Sequence, residues 1–335
     1  MSNDITAPSV EIAPPLPPRR RRLSLGLITD QLGLIAVLAL LIAGFAFTTP
    51  HFFTRDNFTT IFNQMPATVL CAVGMTYVLI IGGVDLSVGS VLGLSGGVVG
   101  VLMTGAHPQP LWIAVLAALG AGALCGLLNG LIVVTWSVPS FVVTLGMLEI
   151  ARGATHWLTA SRTAYIGSRA GTIADLSLGG LSLPLYIALA AVIIGQFVLS
   201  RTVFGRYMIA VGTNEEAVRL SGISTRPVKT AVFVIAGLCA AAGAVMDVSR
   251  SQASNPNAGT GLELDVIAAV VIGGTSLMGG RGSVASSLLG VAIIAVLSSG
   301  LAARGVRDET KRLITGTVIV AAVILDYYRL RFIKR

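Results

Sequence analysis

Charged residues are scarce in this chain. Lys, Arg, Asp and Glu make up 11% of its 335 residues, whereas 54% are hydrophobic. A water-soluble domain has about 25% charged residues, which keep its surface solvated. The shortage of charge therefore excludes an ordinary soluble domain and predicts a polytopic membrane protein.

Cysteine and histidine are also rare, and neither occurs at the spacing of a metal site. The three cysteines fall within apolar runs without a CxxC spacing, and the three histidines are scattered near predicted loops and helix ends. Small buried cysteines usually serve packing. We therefore predict no disulfide framework and no metal site. The residues concerned are Cys71, Cys125, Cys239, His51, His107 and His156.

Nucleotide-hydrolysis and protease motifs are missing as well. No GxxxxGK[ST] occurs, and the nearest segment, Gly274 to Arg281, lacks the lysine that would reach a phosphate. Neither a GxSxG nor an HExxH is present. The sequence thus predicts no catalytic residues, no cofactor bound by this chain and no ATP hydrolysis of its own, which leaves transporters and channels.

The net charge of +8 does not indicate nucleic-acid binding. The basic residues lie at the ends of apolar runs and in the connections between them, where an excess of Lys and Arg marks the cytoplasmic side. Residues 1–22 are rich in proline and end in Arg19-Arg20-Arg21-Arg22. We interpret them as a disordered basic cytoplasmic leader.

The apolar runs predict an all-α membrane bundle in one transmembrane domain, residues 23–335. A hydrocarbon core about 30 Å thick needs about 20 helical residues, which gives ten candidate spans with both termini in the cytoplasm. The eighth span is the least secure, because a re-entrant pair there would preserve the remaining topology. The spans cover 27–48, 63–82, 86–104, 111–135, 139–160, 183–200, 229–250, 264–279, 284–302 and 312–328.

Glycine patterns predict both close packing and broken helices. Gly122, Gly126 and Gly130 recur at four-residue spacing, which lets helix backbones approach closely. In addition, residues 78–92 and 270–288 echo one another, since each is an apolar run that reaches Ile-Gly-Gly and a polar interruption. Glycine-broken segments in two halves of a chain indicate the working region of a transporter.

One long polar interval, Arg201 to Lys229, separates two spans and must remain in water. Thr213-Asn214 is typical of a helix N-cap, Glu215 and Glu216 follow in the first turn, and Ser221-Gly222 ends the helix. A helix of about two turns is unstable alone. Our hypothesis is a docking element for a soluble partner, and the alternative is an ordinary basic connecting loop.

Polar residues inside the predicted spans are candidates for a translocation path. The acid–base pairs at three-residue spacing could equally be intrahelical ion pairs. Asp85 could cap the free amides of residues 86–88, and Glu263 and Asp265 could serve a helix start. The amides could contact a polyhydroxylated solute or join helices. The candidates are Asn63, Gln64, Asp85, Asn129, Glu149, Arg152, Asp247 and Arg250.

Four longer motifs together carry a family resemblance. The chain reads GGVDLSVGS at 82–90, TLGMLEIARG at 144–153, GRYMIAVGTNEEAVRLSGI at 205–223 and NAGTGLELDVIAAVVIGGTSLMGGRGS at 257–283. These segments resemble permease subunits of ribose-type ABC sugar importers, over about residues 50 to 330.

The resemblance implies a ten-span permease of the bacterial cytoplasmic membrane that moves a monosaccharide by alternating access. It implies three protein partners besides the lipid bilayer: a cytoplasmic ATPase subunit that binds ATP and magnesium, a periplasmic or lipid-tethered sugar-binding protein, and a second permease copy or homologue. The segment 201–229 would carry the coupling helix. By the same resemblance, a groove on the ATPase would receive Gly212, Asn214, Glu215, Glu216, Ala217, Leu220, Ser221 and Gly222.

Two alternatives stay open. A proton-coupled secondary transporter would use Asp85, Glu149 or Asp247 as its proton carrier and would need no ATPase. An ABC permease for a nucleoside, a branched-chain amino acid or a furanosyl signal would keep the ATPase and change the cargo.

Overall fold

The computed structural model describes residues 25–307, 309–318 and 320. The predicted leader, residues 1–22, and the part of the tenth candidate span beyond residue 320 lie outside the described residues. The described chain is mostly helical, as the sequence predicts for a membrane bundle.

Thirteen helices are named along the described chain. Their bounds are α1 Leu25–Thr48, α2 Arg55–Gln64, α3 Pro66–Ile80, α4 Val88–Thr104, α5 Leu111–Trp136, α6 Ser140–Leu158, α7 Ser168–Gly171, α8 Leu183–Arg201, α9 Val203–Thr213, α10 Glu215–Leu220, α11 Arg226–Ser251, α12 Leu262–Ile272 and α13 Val284–Ala303. Residues 309–318 are also helical. Four two-residue strands form two antiparallel ribbons: β1 Ala164–Tyr165 pairs with β4 Ala253–Ser254, and β2 Ser177–Leu178 pairs with β3 Leu181–Ser182.

Five helices of the described chain are long and apolar enough to cross a membrane: α1, α5, α8, α11 and α13. A sixth crossing results if α2 and α3, which meet at a 46° bend, form one broken span. The helix α4 is apolar but has only 17 residues. The structure is therefore a multi-pass membrane bundle with at least one break.

The eighth candidate span, 264–279, is not a continuous helix. α12 ends at Ile272 after 11 residues. At 1.5 Å per residue it rises about 16 Å, half the thickness of a hydrocarbon core. The break follows from Gly273-Gly274, because Gly274 has a φ of +86° that few other residues adopt.

The centre of the bundle is α11, which packs against α3, α4 and α5. Its contact with α5 confirms the close packing predicted from the glycine row. A Cβ atom added to Gly126 would overlap the carbonyl oxygen of Phe233, and one added to Gly122 would overlap that of Gly237. The two backbones therefore touch directly, as small residues permit in a membrane.

The connections between helices gather in two groups. In the first group, the α3–α4 connection contacts the start of α6, where Val84 N donates to Ser140 Oγ at 2.9 Å. In the second group, β1 pairs with β4, and Ser182 N donates to Asn63 Oδ1 at 2.9 Å. The helices α4, α8, α11 and α13 each run from one group to the other. Because α11 has 26 residues, a rise of about 39 Å separates the groups. They form opposite ends of the bundle.

The α5–α11 contact gives the first prediction. Gly126→Val should force the two backbones apart and destabilise the protein by about 1–3 kcal/mol. Gly120→Val is the matched control on the same helix, because a Cβ at Gly120 meets nothing within 4 Å. The yield of monodisperse protein and its melting temperature in detergent should both fall for Gly126→Val only. Equal values for the two variants would contradict direct backbone contact.

Candidate functional site

The segment predicted as a docking element folds into a short, well-capped helix, α10. Asn214 is its N-cap, and its Oδ1 accepts a hydrogen bond from Ala217 N at 2.9 Å. The helix ends at Leu220, and the φ of +79° at Gly222 lets Ile223 N reach back to Val218 O at 3.3 Å. Both capping predictions are confirmed, so the sequence encodes a defined element here and not an arbitrary loop.

Two contacts hold α10 against the bundle: a buried apolar side chain and an ion pair. Val218 is buried against the core. Glu215 accepts hydrogen bonds from Lys229 Nζ at 3.0 Å and from Thr225 Oγ1 at 2.9 Å, which ties α10 to the start of α11. Displacing α10 would therefore also pull on α11.

The ionic tie depends on pH in a defined direction. Partial burial alone would raise the pKa of Glu215, but the hydrogen bonds from Lys229 and Thr225 outweigh it, and the pKa lies below the ordinary value of 4.5. A lowered pKa means that the ionised form stabilises the fold. This contribution is present above the ordinary pKa and is lost as the pH falls through the lowered one.

Seven of the eight residues expected to contact an ATPase are exposed: Asn214, Glu215, Glu216, Ala217, Leu220, Ser221 and Gly222. The side chain of Leu220 stands out because it is apolar and 78% exposed. Glu216 forms an ion pair with Arg219 at 2.7 Å on the same surface. We call these seven exposed residues, together with Arg219, the α10 surface.

The eighth residue, Gly212, lies elsewhere. It packs against the ends of two other chain segments, because an added Cβ would overlap Ile80 O and lie 2.6 Å from Gly280 N. Gly280 N in turn donates to Ile80 O at 2.8 Å. The two segments are the breaks between α3 and α4 and between α12 and α13, and the sequence echo predicted both. We call this meeting point the Gly212 junction.

Three polar residues organise the first break. Asp85 is 3% exposed, and its Oδ1 accepts hydrogen bonds from Ser87 N at 2.8 Å and Ser87 Oγ at 2.6 Å. Asn129 Nδ2 donates to Ser87 Oγ at 3.0 Å. Of the amides of residues 86–88 that Asp85 was predicted to cap, it accepts a hydrogen bond from that of Ser87, just before α4, whereas Leu86 N donates to Thr144 Oγ1 at 3.1 Å. Asp85 and Asn129 both hold the break in shape from within the core.

The two acid–base pairs have different outcomes. Arg250 donates to Asp247 at 3.0 Å, which confirms that ion pair. No ion pair joins Glu149 to Arg152 among residues 25–307, and that interpretation is wrong. Arg152 Nη1 instead donates to the carbonyl oxygens of Pro256 and Ala258, at 3.2 and 2.9 Å, because the connection before α12 lies against α6. Glu149 is exposed on the outer face of α6.

Two of the path candidates share a cavity. Gln64 and Asp247 line a space of about 240 Å³ together with Asp265. A neighbouring cavity of about 730 Å³ also contains Gln64 and Asp265. The sequence indicated Asp265 only as a helix-start residue, and the structure adds it, with Thr68 and Thr260, to this polar cavity. Asn63 lies apart, bonded to Ser182.

The described residues offer no metal centre. Within 25–307, 309–318 and 320, no group of three or more His, Cys, Asp and Glu side chains is placed to hold an ion.

Taken together, the multi-pass fold, its broken helices and the exposed helix α10 between two spans are those of a membrane transport subunit. Residues 57–323 match the family model described as the permease component of the branched-chain amino acid transport system. The chain belongs to this permease family.

Curated relatives match along almost their whole length. The ribose import permease protein RbsC of Escherichia coli (strain K12) is 38% identical over 312 residues, which cover 92% of this chain and 96% of that protein. The L-arabinose ABC transporter permease protein AraH of Azospirillum brasilense is 34% identical, over 97% of this chain and 95% of that protein. The D-allose transport system permease protein AlsC of Escherichia coli (strain K12) is 33% identical, over 92% and 94%.

The Gly212 junction gives the second prediction. Gly212→Ala introduces a methyl group where Ile80 O already lies, so the junction must open. We expect a loss of about 1–3 kcal/mol in stability. Gly146→Ala, on α6, is the control because its added Cβ meets nothing within 4 Å. Thermal unfolding in detergent should separate the variants, and a wild-type melting temperature for Gly212→Ala would refute the junction.

Proposed function

We propose that this chain is the permease subunit of an ABC importer that moves a monosaccharide of the pentose or hexose class from a binding protein into the cytoplasm. The observation that carries the proposal is the near full-length similarity to permeases named for ribose, L-arabinose and D-allose. The family description names branched-chain amino acids. The three sugar names among the relatives favour a sugar as cargo.

The proposed topology has ten crossings of a bacterial cytoplasmic membrane, with both termini inside. One support is that three connections meet at the same end of the bundle: 82–87, 202–225 and 273–283. The excess of basic residues in 201–229 favours the cytoplasm for that end. The eighth crossing consists of the irregular stretch before α12, residues 255–261, and α12 itself. Irregular backbone at membrane depth is tolerated where protein surrounds it, and this stretch packs against Arg152 of α6 and Gly89 of α4.

In the proposed cycle, the α10 surface enters a groove on an ATPase that binds ATP and magnesium. Closure of the two ATPase subunits would displace α10. The Glu215–Lys229 contact would pass the movement to α11, and the Gly212 junction would pass it to both breaks. A ligand-driven change of this kind requires contacts that differ between two states. The breaks, where α3 and α12 end, are the elements that can change.

The outward part of the path is proposed to include the cavity of Gln64, Asp247 and Asp265. Carboxylate and amide oxygens accept hydrogen bonds from sugar hydroxyl groups, and charge at membrane depth indicates a water-filled space. A second permease copy or homologue would complete the path. The ribbons at the same end would face a periplasmic or lipid-tethered binding protein.

The third prediction tests the energy source. In proteoliposomes, the permease should take up sugar only with its ATPase subunit, ATP and the loaded binding protein. Glu216→Arg should abolish ATPase co-purification and uptake, because it reverses the charge on the α10 surface. Asp175→Arg, an equally exposed reversal at the opposite end, should retain the ATPase. Uptake by the permease alone, driven by a pH gradient, would support a proton-coupled transporter instead.

The fourth prediction concerns the path. Gln64→Leu removes a hydrogen-bonding group from the cavity and should lower sugar uptake about twofold to tenfold. Because Gln64 is remote from α10, ATP hydrolysis by the complex should not change. Gln109→Leu is the matched control in a connection at the same end of the bundle. An unchanged uptake rate for Gln64→Leu would place the path elsewhere.

A further inference from the structure

The connection between α12 and α13 contains a compact turn, Ser276 to Arg281, which we call the 276–281 turn. Ser276 N donates to Arg281 O at 3.0 Å, and Gly279 N donates to Ser276 O at 3.2 Å. Gly279 and Gly280 both have positive φ, +81° and +75°. These bonds and angles fix the turn without help from the side chain at its tip.

The tip of the turn is apolar and projects away from the bundle. Met278 is 84% exposed, and Leu277 beside it is also exposed. The base of the turn is instead polar and buried, since Thr275 and Ser283 flank it and are both buried. A rigid base that presents a flexible, polarisable methionine is typical of surfaces that bind other proteins.

The turn is seated directly against the residues that precede α10. A Cβ at Gly279 would lie 2.7 Å from Gly212 O, and one at Gly280 would lie 2.6 Å from Thr213 Oγ1. Thr213 is the last residue of α9, and Asn214 caps α10. The tip of the turn and the α10 surface therefore lie at the same end of the bundle and are joined through the Gly212 junction.

The surroundings of the tip are polar, which argues against burial in lipid tails. Arg281, Thr213 and Asn214 are all exposed next to the turn. An arginine at the bilayer centre costs roughly 2.5–3.5 kcal/mol on insertion scales. The exposed apolar tip is thus surrounded by polar groups. A protein interface has the same arrangement, with an apolar centre and a polar rim.

We propose that the 276–281 turn is a second docking element for the ATPase subunit, with Met278 inserted into an apolar recess of that subunit and Arg281 facing an acidic group at its edge. The proposal rests on the proposed function, because it takes the partner of the α10 surface to be an ATPase. Its support is the continuity of the turn with the α10 surface. The ATPase would then contact the α12–α13 break directly as well as through α10.

Protection from chemical labelling tests the docking. Met278→Cys in the detergent-solubilised transporter, where both ends of the bundle are accessible, should react with a hydrophilic maleimide. The rate should fall at least fivefold when the ATPase subunit is bound, compared with permease purified without it. Leu178→Cys is a matched control, because Leu178 is 74% exposed and also precedes a Gly-Gly pair, at the other end of the bundle. Its rate should not depend on the ATPase. Equal rates for Met278→Cys with and without ATPase would overturn the proposal.

A charge at the tip gives a second readout. Met278→Asp should weaken ATPase binding at least tenfold in titrations with the purified subunit, whereas Met278→Leu and Leu178→Asp should bind like the wild type. Because Met278 is exposed, the permease should fold with either substitution. Release of the ATPase by Glu216→Arg but not by Met278→Asp would overturn this proposal and leave the proposed function standing. Normal binding by both variants would overturn both.

Discussion

The end of the bundle that carries α10 depends on one backbone contact inside the protein. The carbonyl oxygen of Ile80, at the end of α3, has no hydrogen-bond partner within the helix. The amide of Gly280 likewise has none within the 276–281 turn. They bond to each other at 2.8 Å, with Gly212 packed against both. Both groups are buried in the protein, and leaving a buried amide or carbonyl unpaired costs about 1–3 kcal/mol. Each break in a helix is therefore stabilised by the other.

This contact also positions α10. Gly212 belongs to α9, and α10 begins three residues later, so the position of α10 is set by the two breaks. On its far side, α10 is bonded through Glu215 to Lys229 of α11, the helix that packs against α3, α4 and α5. A partner protein that moves α10 would therefore displace the two breaks and the centre of the bundle together.

Several elements could be predicted from sequence because their causes are local. The caps at Asn214 and Gly222 require only neighbouring backbone groups, and Asp85 accepts a hydrogen bond from the amide of Ser87, two residues away. The glycine row of α5 predicted a close contact because only small residues allow one. The repeated Ile-Gly-Gly marked both breaks.

The remaining features depend on contacts that sequence spacing does not report. Arg152 lies one turn from Glu149, yet it bonds to carbonyls more than a hundred residues away, because the connection before α12 is closer than the glutamate. The length of α12 was overestimated since an apolar run continues past Gly273. Asp265 joined the polar cavity only through the packing of α12 beside α3. The contact between the two breaks likewise depends on tertiary packing, because it joins segments far apart in the sequence.

The most direct test is a structure of the complete transporter, determined by electron cryomicroscopy with and without an ATP analogue. The account predicts that α10 lies in a groove of the ATPase in both states, and that Ile80, Gly212 and Gly280 stay in contact while α11 and the helices beyond the breaks change their tilt. A complex in which α10 remains in solvent, or in which these three residues separate between the two states, would contradict it.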